Sequence, residues 1–232
     1  YDNQHYDKKK KPKRTIKPIH DKYRPIIWDC LERCLQVSIE NFPKLEGSVI
    51  ALSDNSGSAH GTFTSSYGKH TVADIGNLSA LITAMSCTGR GVVGIFGDEL
   101  FLYEVSKTKP ILEQYNEINK LGERVGQATE NGVWLFFKRA FQNPVENTFD
   151  YFFCYSDMQV GHGGLYGNDP EIMKGGWNWK KAYGQNVYIN IHTLFDTYRK
   201  NIHPKINAFM VQTAGYTDTI LPESIYRGAI MA

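Results

Sequence analysis

Apolar residues recur along this chain with two different periods. Five stretches carry them every three to four residues, which predicts helices over residues 25–40, 71–86, 110–125, 132–141 and 187–200. In the first stretch Ile27, Leu31, Cys34, Leu35 and Ile39 share one face, so we expect that face to pack on a core. Short apolar runs bounded by turn residues predict strands over residues 48–53, 91–96, 99–105, 149–155, 205–213 and 226–232.

The predicted strands and helices alternate in order along the chain. This order predicts an α/β fold with a doubly wound, mostly parallel sheet flanked by helices. Residues 1–24 do not follow the pattern and are interpreted as a basic extended arm or linker before a domain over residues 25–232. Residues 158–186 interrupt the domain as a long inserted loop that is rich in glycine and aromatic residues.

Composition limits the classes of protein to consider. A chain of 232 residues with 41% hydrophobic residues can bury one good core, and no apolar segment is long enough to cross a membrane. The four cysteines form no C-x-x-C pair, so we expect reduced, buried thiols and a cytoplasmic protein. The chain starts at Tyr1 and its last residues read as part of a strand, so we expect a piece of a longer protein.

Charge is distributed unevenly, although the net charge is only +2. Residues 1–24 contain nine Lys or Arg and three Asp, about +6, which leaves the remainder near −4. A solvated linker, a nuclear-import signal and an RNA-contacting arm all remain open for this segment. The residues that would contact nucleic acid are Lys8, Lys9, Lys10, Lys11, Lys13 and Arg14.

The chemistry-bearing motif is Asp54-Asn55-Ser56-Gly57-Ser58, directly after an apolar strand. The carboxyl end of a strand in an open α/β sheet is where ligands bind, and oxygen ligands suit Mg²⁺, Mn²⁺ or Ca²⁺. The alternative is a helix cap, in which the same side chains accept from free backbone N–H groups. Two further positions bear on this choice: Thr129 precedes a predicted helix, and Asp157 ends a second predicted strand.

These elements, in this order, resemble the metal-ion-dependent adhesion site of von Willebrand factor A domains. The resemblance implies one divalent cation surrounded by Asp54, Ser56, Ser58, Thr129 and Asp157. Thr129 is the weakest assignment, since Thr62, Thr64 and Thr71 also lie between the motifs.

The passage from Trp28 to Ser58, together with Ser156-Asp157-Met158-Gln159, is similar to the A-type domain of the Ro autoantigen (TROVE-module) family. In that family a ring of helical repeats binds RNA, so the resemblance implies RNA as a partner of the full-length protein. Three features depart from the family: Ala59, Asn55 and the long insertion after Asp157.

The function predicted from these features is a metal-dependent binding module of a Ro-like RNA-binding protein, with no membrane partner. An acidic protein ligand would complete the metal shell, because two acids leave a divalent ion room for one more anionic ligand. An interaction domain unrelated to RNA is one alternative, and a divalent-metal-dependent enzyme is another. The enzyme needs a general base, and His60, His70 and His162 are interpreted instead as exposed loop residues.

Overall fold

The computed structural model describes residues 21–61, 70–127, 132–157, 165–166, 188–189 and 191–213. Its strands are β1 (Val49–Asp54), β2 (Gly91–Phe96), β3 (Leu100–Glu104), β4 (Tyr151–Ser156), β5 (Leu165–Tyr166), β6 (Tyr188–Ile189) and β7 (Asn207–Gln212). Its helices are α1 (Arg24–Glu40), α2 (Gly57–Gly61), α3 (Val72–Met85), α4 (Ile111–Gly122), α5 (Gly132–Gln142) and α6 (Ile191–Asn201). Short 3₁₀ helices cover Asp21–Tyr23 and Val145–Asn147.

Five strands form one sheet in the order β3-β2-β1-β4-β7, and β5 pairs with β6 in a separate ribbon. Strand β1 pairs in parallel with both β2 and β4, β7 continues in parallel beyond β4, and β3 is antiparallel to β2. The chain passes from β1 to β2 on one side and later returns to place β4 on the other side. The strand order therefore reverses between β1 and β4.

The sheet is covered on both faces, as a doubly wound fold requires. Every residue of β1 and β2 is buried, and successive side chains of β1 enter opposite cores. Ile50 and Leu52 pack with residues of α5 and α6, whereas Val49 and Ala51 pack with residues of α3 and α4. The α/β fold predicted from the alternation is thus confirmed.

Two helix starts show how local sequence sets the elements. Helix α3 begins with a capping box, in which Thr71 Oγ1 accepts from Asp74 N at 3.1 Å and Asp74 Oδ2 accepts from Thr71 N at 2.9 Å. Helix α4 follows Pro110, and its first N–H groups are satisfied from another helix. The Glu32 carboxylate of α1 accepts from Ile111 N and from Leu112 N.

Several expectations need correction. Helix α6 begins at Ile191 and not at residue 187, because Tyr188–Ile189 pairs as a strand. The last residues of the predicted arm, 21–24, are helical, while residues 1–20 and the strand predicted over 226–232 lie outside the described residues. The prediction that all cysteines are buried is wrong for Cys30 and Cys34, which are exposed on α1.

The prediction of which face of α1 is buried is also wrong in part. Of its five apolar residues only Ile39 is buried and Leu35 is partly buried, while Ile27, Leu31 and Cys34 are exposed. Their period is helical, but the stripe that contacts the domain is shifted around the helix: it keeps Leu35 and Ile39 and adds Glu32. Within the described parts of the chain, no helix combines the length and the apolar character needed to cross a membrane.

Candidate metal centre

Asp54 is the last residue of β1 and is 1% exposed. Its two carboxylate oxygens have different partners: Oδ1 accepts from Ser56 N at 2.9 Å, and Oδ2 accepts from Ser156 Oγ at 2.6 Å. The Ser56 contact is local: it spans two residues and closes an Asx turn directly before α2, rather than capping that helix. The Ser156 contact comes from the end of β4, so the carboxylate of Asp54 connects the two strands at the point where their order reverses.

Burial raises the pKa of Asp54 to about 6, because the charged form loses its hydration. The hydrogen bonds from Ser156 and Ser56 favour the charged form and oppose this rise, while the negative charge of Asp157 adds to it. The carboxylate is therefore ionised at neutral pH at a cost in free energy. A bound cation would remove that cost, since it supplies the opposite charge that the buried group lacks.

Ser56 and Ser58 lie on either side of Gly57, where the chain leaves β1 and enters the short helix α2. Ser56 is fully buried, Ser58 is partly buried, and their hydroxyl oxygens are 3.3 Å apart. The structure therefore brings both hydroxyls together within four residues of Asp54. Hydroxyl and carboxylate oxygens are ligands that Mg²⁺ and Ca²⁺ accept.

Asp157 directly follows β4 and has no exposed surface. Its backbone carbonyl accepts from Gln212 Nε2 at 3.1 Å, so the end of β7 helps to hold it. Because β4 lies beside β1 in parallel register, Asp157 and Asp54 are at the same edge of the sheet. The negative charge of Asp157 contributes to the raised pKa of Asp54.

The loop before Thr129 is tied to the same edge. Gly57 N donates to Gln127 O at 3.0 Å, and Gln127 N donates to Asp98 Oδ2 at 3.0 Å. Asp98 lies in the turn between β2 and β3, as its Phe96-Gly97-Asp98 context predicts. Thr129 itself, two residues beyond Gln127, lies outside the described residues.

Sequence reasoning missed a buried polar network behind the motif. Asn55 turns away from the hydroxyls of Ser56 and Ser58, and its amide exchanges hydrogen bonds with Asn77 of α3 at 2.8 and 2.9 Å. Asn77 also accepts from Ser53 Oγ at 2.7 Å and donates to Asn119 of α4 at 2.8 Å. The available signal was a polar residue at position 53 of a buried strand and another at position 77 among apolar helix positions.

The donor set at this edge fits a cation that prefers oxygen. Across the described residues no group of three His, Cys, Asp or Glu side chains comes together, so two carboxylates and the hydroxyls are the donors that the described part offers. His60 and His70 are exposed, as predicted, but His60 lies in α2 and not in a loop. His162 and the basic residues Lys8 to Arg14 lie outside the described residues.

A five-stranded, mostly parallel sheet with helices on both faces places the chain in the doubly wound α/β class. No family model and no curated protein matches the sequence. Among solved structures, the chain is similar to the crystal structure of the Ro (RSR) protein of Deinococcus radiodurans, with a TM-score of 0.58 and 12% sequence identity. The likeness covers 89% of this chain and 35% of that chain. It establishes a Ro-like fold, and this chain spans about a third of the length of that protein.

Proposed function

We propose that this chain is a cation-dependent binding module whose site lies at the edge where β1 and β4 end. Mg²⁺ is the first candidate, with Mn²⁺ and Ca²⁺ as alternatives. Asp54 and Asp157 would supply negative charge, and Ser56 and Ser58 neutral oxygens. Thr129 would add a fifth oxygen, as the resemblance to the metal-ion-dependent adhesion site implies.

The observation that carries this proposal is the placement of two fully buried carboxylates, Asp54 and Asp157, at the ends of neighbouring parallel strands. In open α/β sheets the point where the strand order reverses is the usual ligand site. Two buried acids at that point are unfavourable without a counter-charge, as the raised pKa of Asp54 indicates. A divalent cation would supply this charge, and among the described residues Asp54 accepts hydrogen bonds from the neutral groups Ser56 N and Ser156 Oγ.

The partner that fits such a centre is an acidic protein ligand. Two carboxylates neutralise a divalent ion, and an ion of this kind still accepts a further oxygen ligand at an open position. A carboxylate from a partner protein would bind there and complete the shell. Binding would then depend on the cation, on Asp54 and on the partner's acidic residue.

We extend the proposal to an RNA–protein assembly because the chain joins a basic arm to a Ro-like fold. The arm, with Lys8, Lys9, Lys10, Lys11, Lys13 and Arg14, offers charge for phosphate contacts. RNA would be bound by the full-length protein, and this domain would recruit the protein ligand. We propose binding and not turnover, since His60 and His70, the described histidines nearest to Asp54 in sequence, are exposed.

Thermal unfolding of the whole chain in MgCl₂, MnCl₂, CaCl₂ or chelator tests the cation site. A site filled to 100 times its dissociation constant adds about 2.7 kcal/mol to the unfolding free energy. For a chain of this size, that corresponds to a rise in Tm of about 5–10 °C. Asp54→Asn and Asp157→Asn should each abolish the rise.

Asp29→Asn is the matched control, because it removes one carboxylate from the exposed surface of α1 and should leave the rise intact. A folded wild-type protein whose Tm is the same in all four solutions would refute the cation site. A cation-dependent rise that persists in Asp54→Asn would place the cation elsewhere in the chain.

A further inference from the structure

Helix α1 contacts the rest of the domain through one stripe of side chains. Glu32 accepts from two backbone N–H groups at the start of α4, Leu35 packs partly against the core, and Ile39 is buried in it. These positions are three and four residues apart, so they lie on one face of the helix. The opposite face of α1 consequently points away from the domain.

That opposite face is apolar and exposed. We call it the outer seam of α1, and it consists of Ile27, Cys30, Cys34 and Val37, with the flanking cap residues Tyr23 and Asn41. Cys30 and Cys34 each lie two residues from Glu32, about 160° around the helix. Tyr23 is 48%, Ile27 39% and Val37 56% exposed, and both cysteines are exposed. Ile26 and Leu31 flank the seam and are also exposed.

The spacing along the outer seam alternates four and three residues. This is the heptad period with which two helices pack side by side, each seam residue inserting between side chains of the partner helix. A helix of this kind offers the same seam to an identical copy, so the surface is complementary to itself about a two-fold axis.

We propose that the outer seam is a homodimer interface, on which α1 of a second copy packs in parallel. We infer the relative direction from the residues that flank the seam within α1. In a parallel pair Ile26 lies beside the partner's Leu31, and Arg33 lies beside the partner's Ser38. In the antiparallel pair that best matches the seam, Arg33 meets the partner's Arg33, which is repulsive.

The geometry of the domain permits this arrangement. Because the outer seam faces away from the contacts of Glu32 and Ile39, the described parts of the two domains would lie on opposite sides of the helix pair. Each copy contributes about five large apolar side chains that are roughly half exposed, on the order of 100 Å² each. Together the two copies would bury about 1,000 Å², the lower limit for a specific interface, so the dimer depends on protein concentration.

Oxidative cross-linking of the 232-residue chain tests both the interface and its direction. A parallel dimer places Cys30 opposite Cys30 and Cys34 opposite Cys34, so Cys30→Ser and Cys34→Ser should each still give a covalent dimer under mild oxidation. An antiparallel dimer places Cys30 opposite Cys34, so either substitution would abolish the cross-link and overturn the parallel arrangement. Cys87 and Cys154 are buried and do not contribute in the folded protein.

Light scattering under reducing conditions measures the same dimer without a covalent bond. The mass should rise with concentration from 26.4 kDa towards twice that value. Ile27→Glu should hold it at the monomer mass, whereas Gln36→Glu adds the same charge outside the seam and should not. A wild-type monomer at every concentration, with Cys30 and Cys34 unreactive towards maleimide, would mean that another segment of the chain covers the seam and would overturn the proposal. Dimers unaffected by Ile27→Glu would also overturn it.

Discussion

Asn55 and Asn77 exchange two amide hydrogen bonds, 2.8 and 2.9 Å long, behind the loop that carries Ser56 and Ser58. Each side chain is at most 2% exposed. The pair connects the residue after Asp54 to the middle of α3, and Asn77 continues the connection to Asn119 of α4. The position of the Asp54 loop is thereby coupled to two helices on the same face of the sheet.

Replacing Asn77 by Ala should lower the unfolding free energy by about 2–4 kcal/mol. The substitution leaves the Asn55 amide and the Ser53 hydroxyl buried without their partner, and unsatisfied buried polar groups are costly. Urea unfolding measures the change. Asn119→Ala is the comparison, because it removes one bond to Asn77 and one to Tyr115 at a partly buried position and should cost less. Equal losses for the two variants would contradict a central role for Asn77.

Asp54 should make the wild-type protein less stable as pH rises through the acid range in chelator. The pKa of its carboxyl is raised from its ordinary value of 3.8 to about 6 in the fold. Between these values the folded state holds a proton that the unfolded state has released, so the unfolding free energy falls as pH rises. The full difference is about 3 kcal/mol, reached above pH 6.

Residue 54 does not titrate in the variant Asp54→Asn, so the unfolding free energy of this variant, compared with that of wild type, measures the effect. Its unfolding free energy, relative to wild type, should increase by up to about 3 kcal/mol between pH 4 and pH 7.5 in chelator. The same variant should gain nothing from Mg²⁺. A constant difference between the two proteins over this range would show that burial does not raise the pKa of Asp54.

The fold could be predicted from sequence because its strongest determinants are local. The apolar runs of β1 and β2 are buried along their whole length, and the capping box of Thr71 and Asp74 sets the start of α3. Asp54 and Asp157 could be placed at one edge because the carboxyl ends of parallel strands meet there.

Features that depend on contacts between distant elements were not predictable. The face of α1 that contacts the domain is set by Glu32, which accepts from the start of α4 about eighty residues later, together with Leu35 and Ile39, so only part of the apolar period of the helix is buried. In the sequence Asn55 departs from the pattern of the Ro family. Its structural role was not predictable, because its partner Asn77 belongs to another element. Both outcomes illustrate how tertiary contacts override a local pattern.

Asp150 should stabilise the opposite end of the sheet in a pH-dependent manner. Partial burial raises the pKa of its carboxyl, but the hydrogen bonds from Ser48 and the contact with His203 outweigh this and lower the pKa overall. A lowered pKa means that the carboxylate stabilises the fold above its unfolded pKa, near 3.8, and that this contribution disappears as pH falls through the folded value.

Asp150→Asn should therefore destabilise the protein at pH 7, and the gap from wild type should narrow in acid. Urea unfolding at pH 7 and at pH 3.5 measures both differences. His203→Gln separates the contributions, since Ser48 N and Ser48 Oγ still donate to Asp150 in that variant. A gap that is independent of pH would show that the carboxylate charge does not contribute.

Gly47→Ala adds only one methyl group but should lower the unfolding free energy by about 2 kcal/mol or more. Gly47 has a φ of +118°, a backbone conformation that residues with a Cβ rarely adopt. An added Cβ would also collide with the Asp150 carboxylate, which is held in place by Ser48 and His203. Gly61→Ala is the matched control, because a Cβ there meets no atom within 4 Å, and it should change the unfolding free energy by less than about 1 kcal/mol. Comparable losses for the two variants in urea unfolding would contradict the conformational argument, because only Gly47 combines a positive φ with an obstructed Cβ position in this pair.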